Sequence, residues 1–483
     1  MNVYLIALLV YSMFLMGLGL FISRRVKNSA DFLVAGRTLS GGRIFATFLA
    51  ANIGAGSTVG AAGLGYRFGL SAWWWVGSAA IGSLFLSQFI GPRLWTLANR
   101  HGFTTLPEFL QFRYGRAVKL TIAVLFWCGA LAILAGQLIA ISWILNTIAG
   151  IPKWEGCAIG GLVAVVYCTA GGMMSSSFVN MFELAVTMSG LLLALPFAIK
   201  GLGGWTHMHY LVTSQATGAV VGSARFSLFG AGARQIAAWV AILAPSFMIS
   251  PGLLQKVYAA RSVRSVRIGV GLNCICQAAF AFVPPLLGLC AFALLPHLAN
   301  PELALPTAMR TLLPTWLGVW TLASIFSAEL SATDAILFML SSSLAVDFYK
   351  PFINPEISPE KLLTVNRISS VASGVCGVLL AMALPSVIAA VTIFYGLLAV
   401  ALFVPVLAGL YSSRTTSAMA LLSIVFALAT TLMTMQLTHG RGIGFVSPQL
   451  LGISAAAVVT VLSSVIVHGR KQKLPSSAEV PVP

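Results

Sequence analysis

The stretch "LAANIGAGSTVGAAG", Leu49–Gly63, decides the fold because it interrupts an otherwise apolar segment. Four glycines, with Asn52, Ser57 and Thr58, lie where a membrane-spanning helix would be continuous. Glycine is a poor helix former, and lipid tolerates no free backbone polar groups. The pattern therefore predicts an unwound helix whose released carbonyls and amides bind an ion or a solute. The residues alone leave open a GxxxG helix-packing contact through Gly56 and Gly60.

The composition around this stretch is typical of a polytopic helical membrane protein. Of 483 residues, 58% are hydrophobic and 8% are charged, whereas soluble proteins carry about 25% charged residues. Continuous apolar runs exclude the alternating segments of a membrane β-barrel. We predict an all-α polytopic membrane protein with about 13 transmembrane helices. The spans lie near 2–22, 43–67, 70–92, 119–148, 155–172, 178–200, 233–256, 266–296, 313–346, 365–386, 388–411, 416–437 and 449–468.

The distribution of basic residues predicts the orientation. The net charge is +17, but the lysines and arginines lie in short clusters between spans, which argues against nucleic-acid binding. Most of them, Lys256 included, fall on one side if the loop after the first span is cytoplasmic. We therefore expect a protein integral to the plasma (inner) membrane, with its N-terminus outside and a short cytoplasmic tail at 469–483. The first 22 residues lack a basic start, which indicates a retained span and not a cleaved signal.

A second interrupted helix indicates an inverted repeat. "LAPSFMISPG" at 243–252 carries Pro245, Pro251 and Gly252 inside the seventh span. The second and seventh spans are five apart, so they cross the membrane in opposite directions, and paired breaks of this kind mark a transporter's central site. We predict a single transporter domain over 1–483. Its parts are an extra helix at 2–22, a first repeat at 43–200, a second repeat at 233–411 and two extra helices at 416–468.

Six motifs in order give the chain a resemblance to the sodium/solute symporter family, which has the LeuT-type 5+5 inverted-repeat fold. The resemblance implies a sodium ion bound by the carbonyls of Ala50, Ile53 and Ala328 and the hydroxyl of Ser331. Taken alone, the Ser331 hydroxyl has the alternative of bonding back to its own helix. The motifs are "DFLVAGRTLSG" (31–41), "LAANIGAGSTVGAAGLGYRFG" (49–69), "TLPEFLQFRYG" (105–115), "VYCTAGGMMSSSFVNMFE" (166–183), "LLQKVYAARSVRSVR" (253–267) and "SIFSAELSATDAILFMLSSSLAVDFYK" (324–350).

Two departures from the family pattern concern the ion. Ala332 stands where the family commonly has a second hydroxyl, and Asn180 stands where it often has an aspartate associated with sodium passage. Three acidic residues could compensate for these losses. Glu183, Glu329 and Asp334 lie within predicted spans, where ionisable groups are functional candidates. Asp334 shares a helix face with Ser331, so we expect it to supply charge at the sodium site. Glu183, Glu329 and Asn180 are further coupling candidates, although Glu183 has the alternative of meeting water at a helix end.

The solute is expected to bind beside the breaks. The predicted site residues are Asn52, Gly54, Ser57, Thr58, Gln137, Trp75 and Ser246. Lysine and arginine are not expected at mid-membrane depth, so no fixed cation would hold an anionic solute. Interfacial anchoring is the alternative for the tryptophans of "WWW" at 73–75.

These features predict a secondary active symporter that couples the sodium gradient to uptake of a small polar organic solute by alternating access. The rival is a proton-coupled symporter that uses Asp334 or Glu329. A channel filter, a convergent catalytic set and a fused signalling domain are not found in the sequence, which argues against a channel, an enzyme and a transporter-like sensor. We expect sodium as the coupling ion, the solute and the bilayer as partners, and no obligate protein partner.

Overall fold

The computed structural model describes residues 3–23, 34–215 and 220–469, without the side chains of 167–178 and a few at the helix ends. The predicted tail at 469–483 lies outside it except for Gly469. The described chain is almost entirely helical, with isolated β-bridges only at Leu39–Ala260 and Ile443–Val446. The all-α class is thereby confirmed. The helices are α1 Val3–Ser23, α2 Gly41–Asn52, α3 Val59–Phe68, α4 Trp73–Phe85, α5 Gly91–His101, α6 Leu106–Tyr114, α7 Arg116–Ala149, α8 Lys153–Gly201, α9 Trp205–Ser214, α10 Ala233–Ile249, α11 Pro251–Tyr258, α12 Val263–Phe280, α13 Val283–Leu294, α14 Ala304–Leu312, α15 Thr315–Ser343, α16 Pro359–Ala383, α17 Val387–Leu397, α18 Phe403–Tyr411, α19 Ser417–Leu437 and α20 Pro448–Gly469.

Short 3-10, π and single-turn segments extend or join several of these helices. In the described chain, 10 helical stretches have the length and apolar composition to cross a bilayer, so the protein is an integral membrane protein. The number of 13 spans stays a prediction. The segments are Ala35–Arg37, Gly69–Ala72, Leu86–Ile90, Gly222–Phe226, Pro301–Leu303, Leu344–Tyr349, Lys350–Phe352 and Leu398–Leu402.

The two predicted helix breaks are present. The second span stops at Asn52 and resumes at Val59, and the seventh stops at Ile249 and resumes at Pro251. Pro245 lies within α10, so the second break falls at Ser250 and Pro251 rather than across the whole predicted stretch. Helix α11 begins with Pro251, which suits a first helical turn because its missing N–H needs no partner there.

The eighth predicted span, 266–296, also contains a break, which was not among the predicted ones. A turn at Ala281 and Phe282 separates α12 from α13, and Pro284 and Pro285 follow at once. The two prolines cannot donate backbone hydrogen bonds to α12, so the helix restarts there.

Helix α8 covers 49 residues, and the contacts of its two arms, 153–166 and 179–201, indicate that the arms run in opposite directions. The first arm packs antiparallel to α7 and the second packs antiparallel to α15, whereas the end of α7 lies beside the start of α15. The arms therefore support the predicted pair of spans 155–172 and 178–200. The contacts that fix these directions are Gly156 with Ser142, Gly161 with Leu138, Gly190 with Ser324, Gly201 with Leu312, and Arg310 with Thr147.

Reciprocal helix contacts support the inverted repeat. Helix α2 of the first unit packs on α12 of the second, and α10 of the second unit packs on α4 of the first. Likewise α7 packs on α17, and α15 packs on the second arm of α8. Two units related by a two-fold axis would make such paired contacts. The boundaries 43–200 and 233–411 remain predictions.

Candidate ion and solute site

The break between α2 and α3 redirects backbone hydrogen bonds. In a continuous helix, the Gly54 amide would donate to Ala50 and the Ser57 amide to Ile53. Instead the Gly54 amide donates to Ser57 Oγ (3.0 Å), and the Ser57 amide donates to the Gly54 carbonyl (2.9 Å). The carbonyls of Ala50 and Ile53 are thereby released from the helix ladder, as the glycine-rich sequence predicts.

Side chains from three elements hold the unwound segment in place. The Ser57 hydroxyl donates to the Asn52 carbonyl (2.8 Å). Gln137 on α7 accepts from the Ala55 amide through Oε1 (2.8 Å), and Trp75 on α4 donates from Nε1 to the Gly56 carbonyl (2.9 Å). Because these groups leave few backbone atoms unsatisfied, the break is a defined structure and not a frayed end.

A cavity lies between the two breaks, with about 750 Å³ of empty space that includes its opening to solvent. Helices α4, α7, α10, α15, α17 and the breaks themselves contribute its walls. Five of the predicted solute residues line it: Asn52, Gly54, Ser57, Trp75 and Gln137. Further polar lining comes from Ser250, Lys256, Gln277 and Tyr395, and apolar lining includes Ile133, Leu243, Phe247, Met339 and Phe394.

Two predicted solute residues lie outside the cavity lining. The Thr58 hydroxyl donates to Glu329 Oε1 (2.6 Å) and lies 3.0 Å from the Gly54 carbonyl. The Ser246 hydroxyl contacts the backbone carbonyls of Ile242 (2.6 Å) and Tyr395 (2.7 Å). Both side chains are fully buried, so the structure assigns them to helix contacts beside the cavity.

Three of the predicted sodium ligands lie together beside the first break. Ser331 Oγ on α15 donates to the Ala50 carbonyl (2.9 Å) and lies 3.4 Å from the Ala328 carbonyl. Ile53 ends α2 in an extended conformation, which turns its carbonyl out of the helix direction. Ser331 thus bridges to the break, as the resemblance implies, and its own-helix contact is the longer of the two. Neutral oxygens of this kind are ligands that a hard cation prefers.

Two acidic residues, Asp334 and Glu183, lie near this cluster. Asp334, one turn beyond Ser331, is buried and lies within electrostatic reach of Glu183. Glu183 and Asn180 on the second arm of α8 are also buried, so Glu183 does not meet water as the alternative supposed. The Ser327 hydroxyl contacts the Glu183 carbonyl (3.4 Å) and accepts from Tyr11 of α1 (2.6 Å).

Glu329 occupies a different face of α15. It is fully buried, and its Oε1 accepts from Thr58, whereas Oε2 has no hydrogen-bond partner among the described residues. An unpaired carboxylate in such a place is costly, so a proton or a cation is needed to stabilise it.

One expectation about charge is wrong. The sequence places Lys256 in a cytoplasmic segment and predicts no lysine at depth. In the structure this residue lines the cavity and is only 3% exposed. The reason is the break at Ser250, which starts α11 at the cavity wall and places Lys256 in its second turn.

Two amides of the site were not predicted. Asn52 Nδ2 donates to Asn273 Oδ1 (3.2 Å) and Gln277 Oε1 (3.4 Å), both on α12. Their spacing of four residues within an apolar run places them on one helix face, and this signal would have identified them.

Comparisons with known proteins agree with this geometry. The sequence profile of the sodium:solute symporter family matches residues 32–426. The chain belongs to this family. It is 25% identical to a sodium/glucose cotransporter of Vibrio parahaemolyticus, over 86% of this chain and 82% of that protein. It is also 25% identical to a sodium/pantothenate symporter of Escherichia coli (strain K12), over 89% and 90% of the two chains.

A solved structure of a Na⁺-coupled sialic acid symporter in a substrate-bound outward-open state has the same fold. The TM-score is 0.81 at 16% sequence identity, with 96% of this symporter and 98% of that chain covered. The family and these relatives are transporters and not enzymes, which confirms the predicted class. Sodium as the coupling ion follows from the family.

Proposed function

We propose that this symporter moves a small polar organic solute through the cavity between the two breaks. Sodium would bind to the carbonyls of Ala50, Ile53 and Ala328 and to the hydroxyl of Ser331. The observation that carries the proposal is the bond from Ser331 to the released Ala50 carbonyl, because it joins α15 to the break beside the cavity. An ion at this point would stabilise one arrangement of the two helices, which is what coupling by alternating access requires.

We further infer that the protein lies in the plasma (inner) membrane with its N-terminus outside and its C-terminus cytoplasmic. No obligate protein partner is needed, because the cavity and the ion cluster are both formed by one chain. Asn52, Gly54, Ser57, Gln137 and Trp75 would form the solute site, while Thr58 and Ser246 support it from behind.

Sodium-dependent thermal stabilisation of the purified protein tests the ion site. Ser331→Ala removes a hydroxyl ligand, and we expect it to weaken sodium binding about tenfold or more, from a loss of about 1.5–3 kcal/mol for a bond to a charged group. Ser341→Ala on the same helix is the matched control, because among the described residues that hydroxyl bonds only to the Phe338 carbonyl (3.0 Å). Equal sodium affinity in Ser331→Ala and Ser341→Ala would contradict the site.

Proton coupling is the second candidate, and the buried Glu329 with its unpartnered Oε2 favours it. Uptake into proteoliposomes separates the two when sodium and pH gradients are opposed. Uptake that follows the sodium gradient supports sodium coupling, and uptake that follows the pH gradient and is abolished in Glu329→Gln would assign the proton to Glu329 and overturn the sodium mechanism.

A further inference from the structure

Lys256 is a buried cation in the wall of the solute cavity. It is only 3% exposed, and it makes no hydrogen bond or ion pair with a described residue. Taking an ammonium out of water without a hydrogen bond or a direct ion pair is unfavourable, so a buried one indicates a binding function. We propose that Lys256 binds the carboxylate of an organic anion, which names the class of solute for the site proposed above and rests on that proposal.

The rest of the lining suits the same chemistry. Among the described lining residues, Lys256 is the only charged one, so no carboxylate of the wall would repel an anion. Gln137 uses Oε1 for the Ala55 amide, which leaves its Nε2 free to donate. Ser250 and Tyr395 add hydroxyls that make no hydrogen bond with the described residues. A cavity rich in donors selects a solute rich in acceptors.

Asp334 connects Lys256 to the ion site. It is the charged group that acts electrostatically on Lys256, and it stands one helical turn from Ser331. In the empty protein, the Asp334 charge partly neutralises Lys256. A sodium ion beside Ser331 would compensate Asp334 instead, and Lys256 would then attract a carboxylate more strongly. By linkage, sodium and the anion would strengthen each other's binding.

The test uses matched pairs of charged and uncharged probes. Propionate, lactate and benzoate are each compared with the corresponding carboxamide by thermal shift of the full-length purified protein. Sodium is replaced by N-methylglucamine in one arm, and methanesulfonate is the bulk anion. We expect at least one carboxylate to bind about 30-fold or more tightly than its amide, with sodium increasing its affinity.

Variants locate the effect. Lys256→Met should remove the preference for the carboxylate, Lys256→Arg should retain it, and Asp334→Asn should raise carboxylate affinity without sodium. Lys361→Met, an exposed lysine at the start of α16, is the matched control and should behave as wild type.

Three results would overturn the proposal: amides that bind as well as the acids, a preference that survives in Lys256→Met, or no stabilisation by any carboxylate. Stabilisation by chloride alone would assign Lys256 to an inorganic anion and overturn it too. Sodium-dependent stabilisation of the wild type without any probe tests the ion site separately. Failure of the sodium site can therefore be distinguished from failure of carboxylate binding by Lys256.

Discussion

At the scale of single residues, Gly54 shows why the break requires glycine. A Cβ at this position would lie 2.5 Å from Ala332 Cβ and 2.8 Å from Gln137 Oε1. The close approach also gives Ala332 a steric role, because a larger residue there would press on the unwound segment. The missing second hydroxyl on α15 and the glycine opposite it are therefore parts of one packing arrangement.

We expect Gly54→Ala to displace Gln137 from the Ala55 amide and to destabilise the fold by about 1–3 kcal/mol through overpacking. Solute affinity should fall further than stability, because Gln137 lines the cavity. Gly56→Ala is the milder control, since its Cβ would meet only the end of the Val391 side chain, at 3.2 Å. Thermal melts combined with solute binding measure both effects, and equal behaviour of the two variants would refute the steric argument.

At the scale of elements, the loop between α13 and α14 fastens the first turn of α17. Glu302 in this loop accepts from the Ile388 amide through Oε1 (3.2 Å) and from Trp143 Nε1 through Oε2 (3.1 Å). One carboxylate thus ties α17 to α7. Burial raises the pKa of Glu302, although the amides of Val387 and Ile388 and the Trp143 indole oppose this by hydrogen bonding.

We expect Glu302→Gln to lower stability by roughly 1–3 kcal/mol, because an amide NH₂ then faces a donor. The sign of the pH dependence follows from the raised pKa. The folded wild type binds the Glu302 proton more tightly than the unfolded chain does. The resulting contribution to the free energy of unfolding is complete below the ordinary glutamate pKa of about 4.3, and it is lost as the pH rises through the folded pKa.

The stability difference between wild type and Glu302→Gln should therefore narrow as the pH rises. Apparent melting temperatures across the acid range measure it, and the exposed Glu356→Gln serves as control. A difference that widens with pH would show that hydrogen bonding to the carboxylate outweighs its burial.

At the scale of the whole molecule, the paired contacts between the two units enclose the cavity, and the extra helix α1 covers the ion cluster from one side. Tyr11 of α1 reaches Ser327, next to Glu183, across 316 residues of sequence. The orientation of this assembly in the bilayer rests on the distribution of basic residues.

Labelling with a membrane-impermeant maleimide tests the orientation. In a cysteine-free background and right-side-out vesicles, Phe445→Cys in the loop between α19 and α20 should react. Glu356→Cys in the loop before α16 should react only after permeabilisation. Both positions are exposed, so access and not burial decides the result. The reverse pattern would invert the predicted topology.

The membrane class, the two breaks and the family can all be recognised from the sequence. Apolar runs have few alternatives to spanning helices, and glycine and proline act locally on the hydrogen-bond ladder, so both signals can be read without tertiary contacts. The joining of Ser331 to Ala50 also followed from the sequence, but only through the resemblance, because the two residues lie 281 positions apart.

Which polar groups face the cavity depends on tertiary packing. Asn52 and Thr58 flank the same break, and composition does not distinguish their roles. Thr58 turns to Glu329 on α15, whereas Asn52 lines the cavity and donates to two amides of α12. The position of Lys256 in the cavity wall also could not be predicted from the sequence, since a lysine at the end of an apolar run is normally assigned to a loop. Here the break ends α10 early and places the charge in the wall of the cavity. The rotation of a helix about its axis and the point where it restarts depend on packing against its neighbours, which hydropathy does not record.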